Sequence, residues 1–224
     1  MFTRTSIQVS KQLFDKILQE LPNVDFKLSL NKPTGRFLYD PWVIKEEFKN
    51  SAWEELLNTL PSNIGEARLI VLKPGTGYQS HSDIDDRYHL NISGDKYSYL
   101  VNTDTNIMYP VQQDLFWYNM NAGPRHSAVN LGKHNRVQLV VRKLLPDVQI
   151  EGFIKIDAVP DAGNNYFRFD FDDFVSPWLN QAVKESKIAN FEFSETHVSF
   201  YVSTEGLQEL RNLNLKGFNF VETR

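Results

Sequence analysis

The sequence predicts a mainly β fold, a jelly roll or β-sandwich with flanking helices, followed by a small α+β unit. Two observations carry this prediction. From Ala67 to Leu145, short runs of β-branched and aromatic residues alternate with turn residues, and no helical pattern interrupts them. Aromatic residues also make up 13% of the 224 residues, and their rings pack well on a pleated surface.

Seven segments make up the predicted β block. So many strands in so short a stretch are typical of a sandwich or jelly roll, because helices separate the strands of a doubly wound sheet. The segments are ARLIVLKPGTGY, RYHLNIS, KYSYLVNT, NIMYPV, DLFWYNM, HSAVNL and NRVQLVVRKLL.

Two amphipathic helices precede the β block. The first, KQLFDKILQEL, has Ser10 at its N-cap position and apolar residues at three-and-four spacing until Pro22. The second begins at Ser51 and repeats this spacing until Leu60, before Pro61. These helices supply the flanking layer of the predicted fold.

The chain is predicted to divide near Pro146, where the long last strand ends. Residues 1–147 form the first domain, and 148–224 form a small α+β domain that reads strand, strand, helix, strand, helix, strand. Asp172 is the expected N-cap of its first helix, and EGLQELRNL is the second. The second domain carries no recognisable motif, and substrate recognition, dimerisation or an extension of the core are its alternative roles.

Composition and charge exclude several classes of function. The chain has no cysteine, so any metal must be held by His and carboxylate side chains. The 24 Lys and Arg residues are balanced by 28 Asp and Glu, without a basic run, which argues against nucleic-acid binding. No signal peptide and no membrane-length apolar run is visible, so we expect a soluble, cytoplasmic protein. The oligomeric state is not predicted.

Three residues of the β block form a candidate metal site. His81 and Asp83 are two positions apart, so in an extended segment they project to the same side, and His126 lies in a later strand. Two histidines and one carboxylate on one face of an octahedron leave three positions open, as in non-haem Fe(II) oxygenases. A zinc enzyme with three protein ligands is the competing assignment.

Arg136 distinguishes the two assignments. It begins the strand that follows the turn after His126, so both can face one interior. A 2-oxoacid bound to iron carries a distant carboxylate, and the planar guanidinium of arginine suits it better than lysine does.

The segment HSDIDDRYHLNI followed by AGPRHSAVNLGKHNRVQLVVRKL resembles the 2-oxoglutarate-dependent oxygenases with a double-stranded β-helix, most closely the aspartyl/asparaginyl β-hydroxylase branch. The resemblance covers roughly residues 67–144. It implies Fe(II), 2-oxoglutarate and O₂, with His81 and His126 on iron and Arg136 on the distal carboxylate. It also implies that Arg87 and His89 line the active site near the other end of the co-substrate.

One residue departs from that branch, which has no acidic metal ligand where this chain has Asp83. The departure restores the ordinary facial triad and favours hydroxylation over halogenation, since halide enters where the carboxylate is absent. It also removes the ground for transferring the aspartyl/asparaginyl substrate. The expected substrate is a side chain of a protein or peptide, or a small molecule.

Alternatives stand beside each of these assignments. The whole chain could be a cupin-like hydrolase or isomerase with another divalent metal, or a non-catalytic binding module. His89 has the alternative of a core histidine with satisfied hydrogen bonds, and Arg87 that of a surface ion pair with Asp85 or Asp86. Those two aspartates are interpreted as solvated loop charges.

Overall fold

The computed structural model describes residues 1–161, 171, 175–194, 197–213 and 217–223. Contacts divide the chain into two compact units. The first comprises Met1–Ser80 and Asp85–Leu144, and the second comprises His81–Ile84 and Leu145–Arg224. No helix in the described ranges is long and apolar enough to span a membrane.

The first unit consists mainly of antiparallel strands with two α-helices and one 3₁₀ turn. The helices are α1 (Lys11–Gln19) and α2 (Ala52–Leu57), and the 3₁₀ turn is Glu46–Phe48. The strands are β1 (Phe2–Gln8), β2 (Lys27–Ser29), β3 (Asn31–Pro33), β4 (Trp42–Ile44), β5 (Ile64–Leu72), β6 (Thr76–Gly77), β7 (Arg87–Ser93), β8 (Ser98–Asn102), β9 (Ile107–Pro110), β10 (Phe116–Met120), β11 (His126–Asn130) and β12 (Arg136–Lys143).

These strands form two large open sheets. The six-stranded sheet has the order β1-β10-β7-β12-β5-β2, and the four-stranded sheet has the order β6-β11-β8-β9. Strands β3 and β4 form a separate hairpin. All seven predicted segments contain a strand, and the prediction of a mainly β fold with flanking helices is confirmed.

The helix starts follow the predicted capping residues. The hydroxyl oxygens of Ser10 and Ser51 each accept a hydrogen bond from a backbone N–H of the first helical turn. However, α2 ends at Leu57 and not at Leu60 as predicted. The amides of Thr59 and Leu60 bond to carbonyls three residues back, so the last turn tightens into a 3₁₀ form.

Alternation along the strands gives the six-stranded sheet two different faces. Leu90 of β7 and Leu139 of β12 belong to a fully buried apolar cluster that includes Ile17 of α1 and Leu56 of α2. Burying each such side chain stabilises the fold by about 2 kcal/mol. The intervening residues of β7 and β12 project from the opposite face, which is polar and carries the candidate site.

The second unit has an antiparallel sheet with the order β14-β15-β13-β16. Its elements are β13 (Ile154–Pro160), α3 (Ser176–Lys184), β14 (Ile188–Phe193), β15 (Val198–Val202), α4 (Thr204–Asn212) and β16 (Phe218–Thr223). Among the described residues of this unit, these elements follow one another as strand, helix, strand, strand, helix, strand. Two strands separate the helices where the sequence predicted one, and the predicted cap Asp172 lies outside the described residues.

A buried ion-pair network crosses the polar face of the six-stranded sheet. The carboxylate of Glu66 accepts a hydrogen bond from Ser29 at 2.6 Å and lies 2.7 Å from Nη1 of Arg68. Lys27 and Arg142 also contact it, at 3.0 and 3.5 Å. Burial alone would raise the pKa of Glu66, but the Ser29 hydroxyl and the charges of Arg68 and Lys27 outweigh burial and lower the pKa to about 2.

This network predicts that the protein loses stability in acid. Because the folded pKa of Glu66 lies below its ordinary value of 4.5, the ionised group contributes stability above that pH, which is lost as pH falls toward 2. We expect Glu66→Gln to lower the free energy of unfolding at pH 7 by about 2–3 kcal/mol and to flatten its dependence on acid. Urea denaturation at several pH values, monitored by tryptophan fluorescence, measures the free energy of unfolding and its dependence on pH.

The matched control is Glu55→Gln, since the ion pair of Glu55 with Lys16 is half-exposed and should contribute less than about 1 kcal/mol. If Glu66→Gln keeps the acid dependence of the wild type, the stabilising role of the network is wrong.

Candidate metal centre and buried cation

The three predicted metal ligands lie close together. One donor atom each of His81, Asp83 and His126 falls within 4.8 Å of the others, and His81 Nε2 is 3.6 Å from Asp83 Oδ2. Adjacent ligands of an ion held at about 2.1 Å are about 3 Å apart. The donors therefore need to approach by no more than about 2 Å to hold one ion, and two imidazoles with one carboxylate fit the Fe(II) facial triad.

His126 is presented from the sheet. It is the first residue of β11, where it pairs with Asn102 of β8, and it is buried. Its Nδ1 lies 3.0 Å from the carbonyl oxygen of Pro124. Since a carbonyl oxygen only accepts hydrogen bonds, Nδ1 carries the proton, and the lone pair is on Nε2, where a metal can bind it.

His81 and Asp83 are presented from the connection between β6 and β7. Their side chains are 37% and 23% exposed, whereas Ser82 between them is buried. This alternation agrees with the predicted arrangement, in which the first and third residues project to one side. The ligand pair is thus accessible to an entering ion.

Arg136 is a buried cation. It is the first residue of β12 and only 2% exposed. Its Nη2 donates to Gln138 Oε1 at 3.1 Å and its Nη1 to the carbonyl of Tyr99 at 3.4 Å, while Nε has no hydrogen-bond partner among the described residues. Burial lowers the pKa of Arg136 to about 10, so it stays charged at neutral pH. No carboxylate in the described ranges pairs with it, so it can receive an anionic ligand.

His89 is a second buried group on this face. Neither of its ring nitrogens has a hydrogen-bond partner among the described residues. Burial lowers the pKa of His89 to about 3, the nearby Gln138 side chain opposes this, and the positive charges of Arg87 and Arg136 add to it. The imidazole is therefore neutral, with one donor and one acceptor to offer a ligand.

Tyr78 is a residue that the sequence interpretation missed. Its hydroxyl is buried and has no hydrogen-bond partner within the described part of the chain. Burial raises the pKa of Tyr78, and the charges of Arg136 and Arg68 oppose this. The neutral phenol near Arg136 can donate a hydrogen bond to the same anion. Its position at the end of the segment ARLIVLKPGTGY, shortly before His81, was the only signal in the sequence.

The interpretation of Asp85 as a solvated loop charge was wrong. Asp85 is only 2% exposed, its Oδ2 lies 2.8 Å from Arg87 Nε, and its Oδ1 accepts from Arg142. Arg87 and Arg142 are opposite each other on β7 and β12, and these two cations compensate for the burial of the carboxylate. Arg87 thus has the predicted partner, but in the interior and not at the surface. Asp86 is half-buried and accepts from the amide of Ala122.

The other two histidines, Arg125 and Trp117 differ in their exposure and contacts. His134 is 81% exposed, whereas His197 is half-buried. The guanidinium of Arg125 pairs with Asp104 at 2.7 Å. Trp117 is fully buried in the apolar cluster, so it packs in the core.

The described side chains therefore offer two binding features. One is a donor set for a divalent ion, and the other is a buried cluster around Arg136, a cation that has no carboxylate partner among the described residues. No protein-family model matches this chain, and the search of curated proteins found no match.

We expect His126→Ala to abolish binding of Fe²⁺ at micromolar metal, because two remaining ligands hold a labile divalent ion poorly. Anaerobic equilibrium dialysis measures the bound metal per chain. The matched control is His134→Ala, which removes an exposed imidazole and should bind as the wild type does. Unchanged affinity in His126→Ala would remove this residue from the site.

Proposed function

We propose that this protein is an Fe(II)- and 2-oxoglutarate-dependent dioxygenase that hydroxylates a side chain of a protein or peptide, or a small molecule. The observation that carries the proposal is Arg136, a buried cation whose Nε has no partner, on the strand after the one that begins with His126. Iron, 2-oxoglutarate and O₂ together would supply oxidative hydroxylation of a C–H bond.

The ligand side chains would hold the ion and leave coordination positions for other groups. His81, Asp83 and His126 would occupy one face of its coordination sphere. The hydrogen bond from Nδ1 of His126 to Pro124 would fix the tautomer and the ring orientation. The protein's own contribution is thus an oriented ligand set.

The buried cluster around Arg136 would hold the distal carboxylate of 2-oxoglutarate. Arg136 would pair with it through its guanidinium, which Gln138 Oε1 orients from the side. The hydroxyl of Tyr78 would donate a further hydrogen bond. Both groups are already buried, so binding this anion would satisfy donors that otherwise have no partner.

His89 and Arg87 would have different roles. Neutral His89 would offer a hydrogen bond near the co-substrate, in agreement with the role implied by the resemblance. Arg87 is held by Asp85, and we assign it to positioning the start of β7. The ion pair would then stabilise the strand that presents His89.

The strand arrangement supports a double-stranded β-helix, that is, a jelly-roll core. Two antiparallel sheets of six and four strands carry the polar residues, with His126 and Arg136 at the first positions of β11 and β12. This is the placement that the resemblance implies for the second iron ligand and the carboxylate clamp. A soluble cytoplasmic location remains part of the proposal.

The alternative functions account less well for the buried cation. A hydrolase or isomerase on the same ligands would have no use for Arg136. A protein that binds no anion here would leave donors of Arg136, His89 and Tyr78 buried without a partner among the described residues, at a cost of about 1–3 kcal/mol each. These costs favour a protein that binds an anionic ligand beside Arg136, and the iron-ligand set nearby favours the oxygenase over a non-catalytic binding module.

We expect Arg136→Ala to retain iron but to weaken 2-oxoglutarate binding by about 2–5 kcal/mol, because a buried charge pair is lost. Arg136→Lys should lie between Ala and wild type, since lysine keeps the charge but lacks the planar fork. Anaerobic titration of the Fe²⁺-loaded protein with 2-oxoglutarate, monitored by the visible charge-transfer band, measures the affinity for 2-oxoglutarate.

Two outcomes of this titration would overturn an assignment. Normal affinity in Arg136→Ala would refute the carboxylate clamp. Absence of the band in wild-type protein that demonstrably holds iron would refute the oxygenase and favour a metal-dependent hydrolase or a binding module.

Tyr78→Phe removes one hydroxyl and should weaken 2-oxoglutarate binding by about 1 kcal/mol without changing the affinity for iron. The matched control is Tyr97→Phe, because the side chain of Tyr97 is exposed. The same titration compares the variants, and equal affinities in both would show that Tyr78 does not contact the co-substrate.

A further inference from the structure

The segment that carries two candidate metal ligands has its contacts with the second unit. Residues His81–Ile84 group with Leu145–Arg224, although the chain on either side of them, ending at Ser80 and resuming at Asp85, belongs to the first unit. Ile84 is 5% exposed. One described side chain of the second unit forms a hydrogen bond with this segment.

Asn180 of α3 is that group. It is 3% exposed, on a helix whose buried positions include Leu179, Ala182 and Val183. A buried side-chain amide is costly unless it is hydrogen-bonded. Asn180 Nδ2 donates to the carbonyl oxygen of Ile84 at 2.8 Å, across a separation of 96 residues.

Lys184 fixes the orientation of the Asn180 amide. Its Nζ lies 2.8 Å from Asn180 Oδ1, one helical turn later on α3. An ammonium group only donates, so the amide atom facing it must be oxygen. The amide nitrogen then faces the carbonyl of Ile84, and the O and N assignment of Asn180 follows from chemistry.

We propose that Asn180 is a positioning residue for the metal centre. Its hydrogen bond fixes the carbonyl of Ile84, the residue after Asp83, and so restricts the backbone that presents the Asp83 carboxylate and the His81 imidazole. A ligand segment held in place before the ion arrives avoids part of the entropic cost of ordering it.

The inference rests on the metal centre and not on the proposed reaction, so metal affinity tests it directly. Mn²⁺ is the probe, and electron paramagnetic resonance of the unbound ion gives its dissociation constant with the full chain. Asn180→Leu keeps the size of the side chain and removes the donor, and we expect roughly 10- to 100-fold weaker Mn²⁺ binding. The matched control is Gln181→Leu, since Gln181 is an exposed amide on the same helix that donates to Glu185, and it should bind as the wild type does.

A second variant keeps the test decisive if Asn180→Leu fails to fold. Lys184 is exposed, so Lys184→Met should fold normally, release the orientation of Asn180 and weaken Mn²⁺ binding to a smaller extent. Thermal unfolding midpoints without metal should match the wild type for a positioning role. Wild-type affinity in both variants, or an equal loss in Gln181→Leu, overturns the inference. If His126→Ala still abolishes binding in that case, the metal centre itself stands.

Discussion

The polar face of the six-stranded sheet is the constraint on which the site depends. Side chains alternate along β7 and β12, so a strand that contributes Leu90 or Leu139 to the apolar cluster must project its neighbours from the other face. The apolar face supplies the favourable free energy of burial. The opposite face is also buried but carries charge, and that charge needs compensation.

This face has two parts, one in which opposite charges compensate one another and one in which they do not. At one end, the carboxylates of Glu66 and Asp85 are surrounded by the guanidinium groups of Arg68, Arg87 and Arg142. Farther along β12, Nε of Arg136 and both ring nitrogens of His89 have no hydrogen-bond partner among the described residues, and no described carboxylate pairs with Arg136. The first part stabilises the fold, and the second is the part of the face where we propose that the co-substrate binds.

The sequence predicted what depends on neighbouring residues. The serine caps, the seven strands and the common side of His81 and Asp83 follow from local spacing, which the backbone geometry fixes. The burial of Asp85 and the unpartnered hydroxyl of Tyr78 depend on strand register and on partners far along the chain. Because a single sequence does not show such pairings, these features became visible only in the structure.

The candidate metal ligands differ in what holds them. His126 is fixed by the β11 ladder and by its hydrogen bond to Pro124, whereas His81 and Asp83 lie in the connection between β6 and β7. A connection of this kind loses about 1–2 kcal/mol of conformational freedom for each residue that becomes ordered. Without an external anchor, metal binding would have to supply that free energy. The hydrogen bond from Asn180 supplies such an anchor before any ion binds, which explains why a buried amide is present on an otherwise largely apolar face of α3.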